Sequence, residues 1–152
     1  MDAFELLEKD HRKVEDIFSQ LEPTTERAQK TRTELFAKLK HELDVHTHVE
    51  ETILYPVLKQ LSETRDITFE GYEEHNVAKQ LLIDMEAMDT SSEVWTAKLK
   101  VLQESIEHHV EEEEDEMFPD AREALSQEQI DELGAKLEAA KKELKAAMKA
   151  SA

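Results

Sequence analysis

The chain carries one arrangement of histidine, glutamate, aromatic residue and proline twice. In each copy a histidine is followed four residues later by a glutamate, and ten residues later by a proline directly behind an aromatic residue. A further histidine stands 35 residues before the first of these histidines and 34 residues before the second. The residues are His11, His46, Glu50, Tyr55 and Pro56 in the first half, and His75, His109, Glu113, Phe118 and Pro119 in the second.

Four imidazoles and two carboxylates are the ligand set of a metal site. Such nitrogen and oxygen ligands suit iron, manganese or zinc, and two carboxylates shared among four imidazoles suit a pair of ions better than one. Two cations would also neutralise Glu50 and Glu113, because an unpaired carboxylate is costly in a protein interior. The alternative is a structural polar layer in which the histidines only hydrogen-bond to the glutamates.

The elements that must position these residues are helices. Apolar residues recur at alternating steps of three and four on both sides of His46 and Glu50, and of His109 and Glu113. Residues with this spacing share a helix face, and such a face packs toward the centre of a four-helix bundle. His11 belongs to a similar apolar stripe in the first predicted helix, and His75 belongs to a less regular apolar stripe in the third. All six polar side chains are therefore predicted to point into a bundle.

Helix-breaking residues divide the chain into five predicted helices. The predicted ranges are 3–21, 28–61 with a kink at Pro56, 72–88 behind a joint at Gly71, 93–117, and an amphipathic fifth helix that starts with a capping box at Ser126 and Gln129. The short loops predict an all-α, up-down antiparallel four-helix bundle over residues 1–120. Residues 121–152 are expected to pack laterally on this domain as an additional C-terminal helix. A cover over the open bundle end or a partner-binding arm are the alternatives.

With these motifs, the chain resembles the haemerythrin-like (HHE cation-binding) family over about its first 120 residues. The family signature places a histidine on the first helix, His-x-x-x-Glu on the second, a histidine on the third and His-x-x-x-Glu on the fourth. The resemblance implies a non-haem di-iron centre of two iron ions, with an oxo or hydroxo bridge when oxidised. It assigns His11 and His46 to one iron, His75 and His109 to the other, and Glu50 and Glu113 as bridges.

One position departs from the oxygen-carrying members of that family. Those carriers have a second histidine one turn after the first on the third helix, where this chain has Lys79. Without that ligand, each iron is expected to keep coordination positions for water, hydroxide or peroxide. The difference therefore argues against simple oxygen carriage.

Residues near the motifs are interpreted from their helical spacing. His41, His48 and His108 point away from the apolar stripes and are predicted to lie at the surface. The acidic run from Glu111 to Glu116 is predicted to face solvent apart from Glu113, with Glu114 and Glu116 as spare ligands at most. Tyr72, three residues before His75, is either a hydrogen-bond donor or phenolate ligand for the centre or an ordinary core tyrosine.

Composition excludes several classes of function. The absence of cysteine excludes disulfides, iron–sulfur clusters and cysteine nucleophiles. The formal net charge of -18 opposes binding to nucleic acid or to anionic membranes, which require a basic surface. Neither a secretory leader nor an apolar run long enough to span a membrane is recognised, so a cytoplasmic location is expected.

Three classes of function are consistent with these features. The leading one is a non-haem di-iron protein that binds and reacts with dioxygen, hydrogen peroxide or nitric oxide in an oxidant or nitric oxide response. Peroxide consumption would be its enzymatic form. The second class is iron storage or sensing without turnover, and the third is a structural bundle that holds zinc or no metal. The sequence indicates no particular protein partner.

Overall fold

A computed structural model describes residues 1–151 of the chain. In chain order, α1 spans Ala3–Leu21, α2 Gln29–Val49, α3 Tyr55–Leu58, α4 Arg65–Glu86, α5 Glu93–Glu112, α6 Phe118–Ala124 and α7 Gln127–Ser151. The π-helical turns π1 (Glu50–Leu54) and π2 (Glu113–Met117) join α2 to α3 and α5 to α6. These residues form helices and no strand, which confirms the all-α prediction. None of the described helices is long and apolar enough to cross a membrane.

The bundle is built from two helix pairs, in which α1 packs along α2 and α4 packs along α5. Two apolar clusters fill its interior on either side of the six polar residues. One cluster contains Phe18, Leu39 and Trp95, and the other contains Phe4 and Phe118. Because protein interiors are close-packed and resist deformation, the polar residues are held between two rigid apolar blocks.

A single buried arginine ties the two loops at one end of the bundle together. The guanidinium of Arg32 donates hydrogen bonds to the carbonyl oxygens of Thr24 at 3.0 Å and Thr90 at 2.7 Å, and to the hydroxyl of Thr96 at 3.0 Å. It also lies 4.9 Å from the centroid of the Trp95 ring. These contacts satisfy a buried charge and join the loop after α1 to the loop after α4.

The irregularity predicted at Pro56 takes the form of a π turn, and the same turn precedes Pro119. In π1 the backbone N–H of Tyr55 donates to the carbonyl of Glu50, and in π2 the N–H of Phe118 donates to the carbonyl of Glu113. A proline lacks an N–H and its ring clashes with the carbonyl four residues earlier in a regular helix. The extra residue in each turn relieves this conflict, so both helices continue past their proline. Sequence spacing alone did not predict these turns.

The third long helix begins earlier than predicted. Gly71 was expected to mark a joint before a helix at 72–88, but it lies buried within α4, which begins at Arg65 and ends at Glu86. Its role is spatial, because a Cβ atom at this position would lie 2.9 Å from the hydroxyl oxygen of Tyr55. The glycine therefore accommodates a side chain from α3 and does not interrupt the helix.

The C-terminal helix α7 lies along α1 and α2. Its apolar residues Leu133 and Leu137 belong to the same buried cluster as Val49. Gly134 allows this close approach, since a Cβ atom there would lie 2.8 Å from the backbone nitrogen of Ala3. The outer helix thus covers one side of the first helix pair.

Candidate metal centre

The structure brings all six residues predicted from the duplicated motif together in the bundle interior. The two glutamates are fully buried, and the histidines are between 2 and 6% exposed. His11 comes from α1, His75 from α4, and each His-x-x-x-Glu pair from the last turn of α2 or α5 and the π turn behind it. Two groups of metal-ligating atoms result, one formed by His11, His46 and Glu113, and the other by Glu50, His75 and His109.

Each glutamate lies between histidines of the two halves. Oε1 of Glu50 is 2.9 Å from Nε2 of His46 and 3.2 Å from Nε2 of His75. In the same way, Oε1 of Glu113 is 3.1 Å from Nε2 of His11 and 3.4 Å from Nε2 of His109. A carboxylate in contact with one imidazole of each half is in position to bridge two cations.

Four further carboxylates hold the outer nitrogen atoms of the histidines. Nδ1 of each ring lies within 3.1 Å of a carboxylate oxygen, in the pairs His11–Glu114, His46–Asp10, His75–Glu51 and His109–Glu74. A carboxylate that accepts the Nδ1 proton fixes the ring orientation and leaves Nε2 free for a metal. All four Nε2 atoms accordingly face the centre.

Sequence analysis missed these outer carboxylates, apart from considering Glu114 as a spare ligand. A signal for them was present. Asp10 and Glu74 each directly precede the upstream histidine of their half, and Glu51 and Glu114 each directly follow the motif glutamate of their half. The duplication therefore extends to residues adjacent to the motif, which helical spacing had placed on other faces.

Charge interactions in the centre are strong. Burial lowers the pKa of an imidazole, but the carboxylates of Glu50 and Asp10 outweigh this effect and raise the pKa of His46 to about 10. Burial alone would raise the pKa of the Glu113 carboxyl group, yet the nearby charge of His109 helps to hold this pKa well below its usual range. The imidazoles therefore act as cationic partners of the glutamates when no metal is bound, and metal binding must displace their protons.

Protein groups alone do not satisfy this centre. Nε2 of His46 and both carboxylate oxygens of Glu50 are buried and have no hydrogen-bond partner of adequate geometry. Buried polar atoms without partners are rare in folded proteins and cost free energy. Imidazole nitrogen and carboxylate oxygen are also the donor types that bind first-row transition metals. The residues present thus fit a pair of metal ions better than a structural polar layer.

The tyrosine at the centre is Tyr55, whereas sequence spacing had left Tyr72 open as either a residue of the centre or an ordinary core tyrosine. The hydroxyl of Tyr55 donates a 2.7 Å hydrogen bond to Oε2 of Glu113, and its ring stacks on His75. Burial, together with the charges of Glu113 and Glu50, raises the pKa of Tyr55 well above 10, so the phenol stays protonated. Tyr72 is half-buried and packs its ring edge-on against Tyr55.

The π turn explains why spacing failed for this residue. Tyr55 follows Glu50 by five residues, which in a regular α-helix would place it about 140° away around the axis. The π turn adds a residue between the two positions and brings Tyr55 to the centre. π turns of this kind occur frequently at functional sites.

A small apolar cavity adjoins the centre. Its volume is about 20 Å³, and the four motif histidines form part of its wall. The remaining wall residues are Val14, Leu43, Thr47, Ile106 and Val110. A cavity of about 10–15 Å³ is enough for one water molecule. This one therefore has room for a ligand of only a few atoms beside the histidines.

Other residues considered from the sequence lie outside the centre. His48 and His108 are exposed as predicted, whereas His41 is half-buried. Glu116 is exposed, and the carboxylate of Glu114 contacts Nδ1 of His11. Lys79 donates a 2.8 Å hydrogen bond to Glu51, the carboxylate that also holds His75.

A helical bundle that gathers four histidines and two glutamates in this way defines a class of cation-binding proteins. Comparison with known families agrees, because the model of the Hemerythrin HHE cation binding domain matches residues 2–121. The chain belongs to this family.

Two individual relatives match this chain at less than 30% sequence identity. A DNA nickase from Nostoc sp. is 29% identical over 144 residues, which are 95% of this chain and 40% of the relative. An uncharacterized hemerythrin-like protein from Schizosaccharomyces pombe is 26% identical over 136 residues, 88% of this chain and 66% of the relative. The chain thus spans less than two thirds of either relative.

A solved structure shares the fold. The crystal structure of a hemerythrin HHE cation binding domain-containing protein from Mycobacterium kansasii superposes with a TM-score of 0.81 at 23% identity, covering 94% of this chain and 86% of the other. This coverage extends beyond the four-helix bundle, so most of the fold described above occurs in that protein too.

Proposed function

We propose that this protein holds a non-haem di-iron centre that binds and reacts with dioxygen, hydrogen peroxide or nitric oxide. The observation that carries the proposal is the duplicated set of six buried ligands beside a cavity with room for one small molecule. His11 and His46 would hold one iron, His75 and His109 the other, and Glu50 and Glu113 would bridge. A pair of ferrous ions held there would be able to supply the two electrons that, with two protons, convert hydrogen peroxide to two water molecules.

The surrounding residues orient the ligands. The outer carboxylates, such as Asp10 on His46 and Glu74 on His109, keep the Nε2 atoms directed inward. Tyr55 holds Oε2 of Glu113 and leaves Oε1 of that carboxylate toward His11 and His109. Because the phenol remains protonated, its role is to position Glu113.

The cavity favours small ligands. Its apolar residues Val14, Leu43, Ile106 and Val110 come from three helices and offer no charged group to a substrate. A cavity of about 20 Å³ is too small for a substrate with an extended carbon skeleton. Dioxygen, peroxide and nitric oxide are ligands that such a wall admits.

Lys79 supports redox chemistry over oxygen carriage. Its ammonium group bonds to Glu51, so the position that is histidine in oxygen carriers contributes to charge balance behind His75. Coordination positions that a fifth histidine would fill then remain open to the ligand. A Lys79→His variant is expected to slow oxidation of the ferrous protein in air.

The nickase activity in the name of one relative is not transferred to this chain. The match covers only 40% of that relative, and a formal net charge of -18 opposes binding to a polyanion. Iron storage without turnover is the alternative that the experiment below distinguishes.

Iron loading followed by rapid mixing with peroxide tests the proposal. Protein loaded with ferrous iron should contain two ions per chain and oxidise when peroxide is added, as followed by absorbance. Val14→Phe fills the cavity and should slow this reaction about tenfold or more, an effect of ~1.4 kcal/mol, without changing iron content. Ile17→Phe, in the same helix but outside the cavity wall, is the matched control.

Three results would contradict the proposal. They are saturation at one ion per chain, a ferrous protein inert to all three ligands, and equal rates in the Val14 and Ile17 variants. Uptake of iron far beyond two ions would favour storage.

A further inference from the structure

A second group of metal-ligating side chains lies at the surface between α4 and α5. Nε2 of His108 is 3.0 Å from Oε1 of Glu112 and 3.7 Å from Oε2 of Glu74. His108 and Glu112 repeat the four-residue spacing of the inner pair on the adjacent face of α5, and Glu74 reaches them from α4. Ligand atoms from the three residues lie within 4.8 Å of one another.

The surroundings of Glu74 differ from those of the other three carboxylates that hold a histidine Nδ1. Those three are each paired with a lysine or arginine: Asp10 with Lys141, Glu51 with Lys79, and Glu114 with Arg12. Within the described residues, Glu74 has no lysine or arginine within 4.0 Å. Its ion-pair contacts are the imidazoles of His108 and His109, and a second carboxylate, Glu112, lies beside it.

The first half has apolar residues at the two positions that are equivalent to His108 and Glu112. His46 and His109 are 63 residues apart, and the same offset relates Val45 to His108 and Val49 to Glu112. Both valines are fully buried. On that side of the first half, Lys141 of α7 provides the positive charge for Asp10.

The second half has polar residues at these two positions. Here the two valine positions are occupied by an imidazole that is 64% exposed and by a carboxylate that is 25% exposed. Neither residue serves to pack a covering helix. Both side chains are accessible to a cation from solution.

We propose that Glu74, His108 and Glu112 bind one zinc ion at the surface. One imidazole nitrogen and two carboxylate oxygens suit zinc, with water completing the coordination. The ion takes the electrostatic position beside Glu74 that Lys141 has beside Asp10. Because Glu74 also holds Nδ1 of His109, this outer site lies one carboxylate away from the inner centre.

Zinc binding to the full chain tests the outer site. In equilibrium dialysis against Zn²⁺ with elemental analysis, His108→Ala and Glu112→Gln should each bind one ion fewer than the wild type. His48→Ala removes another exposed histidine, from α2, and serves as the matched control that keeps the wild-type zinc content. Because the readout is a difference between variants, it does not depend on the number or identity of the inner ions. A faulty inner assignment would change the totals of all four proteins equally.

Calcium competition sharpens the test. Ca²⁺ takes oxygen ligands, so about a hundredfold excess of it should leave the outer zinc in place if His108 is a ligand. Displacement of that zinc by Ca²⁺ would show only attraction to an acidic surface and would overturn the proposal. Equal zinc content in the wild type, His108→Ala and Glu112→Gln would overturn it as well.

Discussion

The two halves of the bundle place equivalent residues at the centre but differ in what surrounds them. Each half contributes two histidines, one buried glutamate and two carboxylates that hold Nδ1 atoms, and each places an aromatic ring on a histidine. The first half is covered by α7, whereas the equivalent face of the second half carries His108 and Glu112. The residues that line the centre are thus equivalent in the two halves, whereas the residues on the outer face depend on whether a helix covers that face.

The aromatic pair shows the same divergence inside the core. Phe118 stacks on His11 and has no polar group, while Tyr55 stacks on His75 and donates to Glu113. The offset of 64 residues between His11 and His75 relates Leu7 to Gly71, and Gly71 is the residue that leaves room for the Tyr55 hydroxyl. The hydroxyl comes from the first half and the glycine from the second, and the equivalent pair of Phe118 and Leu7 has neither feature.

The largest expected effect concerns the residues that the halves share. His46→Ala and His109→Ala should each reduce the iron content from two ions per chain to one or none, because one of the two ions loses one of its imidazole ligands. Elemental analysis after loading with ferrous iron measures this. His41→Ala and His48→Ala are the controls and should retain both ions. A variant of one half that keeps full iron content while its counterpart loses it would break the equivalence of the halves.

A smaller effect distinguishes the cations behind the two halves. Lys141 and Asp10 are 13% and 4% exposed, whereas Lys79 and Glu51 are 40% and 22% exposed. Lys141→Met should therefore lower the free energy of unfolding by about 3 kcal/mol, as for a buried pair that loses one partner. Lys79→Met should cost less than about 1 kcal/mol, as for an exposed pair. Denaturant unfolding of both variants gives the comparison, and equal losses would contradict it.

The tyrosine of the first half should contribute somewhat less. Tyr55→Phe removes the hydrogen bond to Glu113 and should cost about 1.5–3 kcal/mol, the range for a bond to a charged group. Gly71→Ala should shift the Tyr55 hydroxyl and have an effect in the same direction, since its Cβ would lie 2.9 Å from that oxygen. Thermal unfolding measures both variants. If Tyr55→Phe were as stable as the wild type, the hydroxyl would not position Glu113.

The smallest effect concerns how the outer helices are attached to the first half. Asp2 caps α1 and accepts hydrogen bonds from Arg122 and Gln127. Burial raises its pKa, but the bonds from Arg122 and the backbone of Glu5 outweigh this and lower the pKa to about 2. A lowered pKa stabilises the fold above the unfolded value of 3.8 and loses that contribution as the pH falls toward 2.

Acid titration of a matched pair checks this sign. The wild type should exceed Asp2→Asn in stability by about 1 kcal/mol at pH 6, and the gap should close between pH 4 and pH 2. Unfolding at a series of pH values measures it. A gap that stayed constant with pH would show that the Asp2 charge does not contribute.

Several features were predictable from the sequence alone. Helical stripes and duplicated spacing predicted an all-α bundle whose six motif residues share one interior layer, and the structure places them there. The bounds of α1 were also predicted, with Pro23 behind the last turn as a local signal for the end of the helix. Periodicity and capping act over a few residues, so they can be read without knowledge of the fold. The role of the six residues as iron ligands is still a prediction.

Only the tertiary structure decided what lies around that layer. The π turns bring Tyr55 to the centre, and Gly71, which was expected to mark a joint, lies inside α4 and leaves room for the Tyr55 hydroxyl. The carboxylates on the histidine Nδ1 atoms come from other helices, as in the contact of Glu51 with His75. Such contacts depend on helix phase and on the distance between elements far apart in the chain. Local spacing contains neither quantity, because a single added residue in a turn rotates everything that follows it.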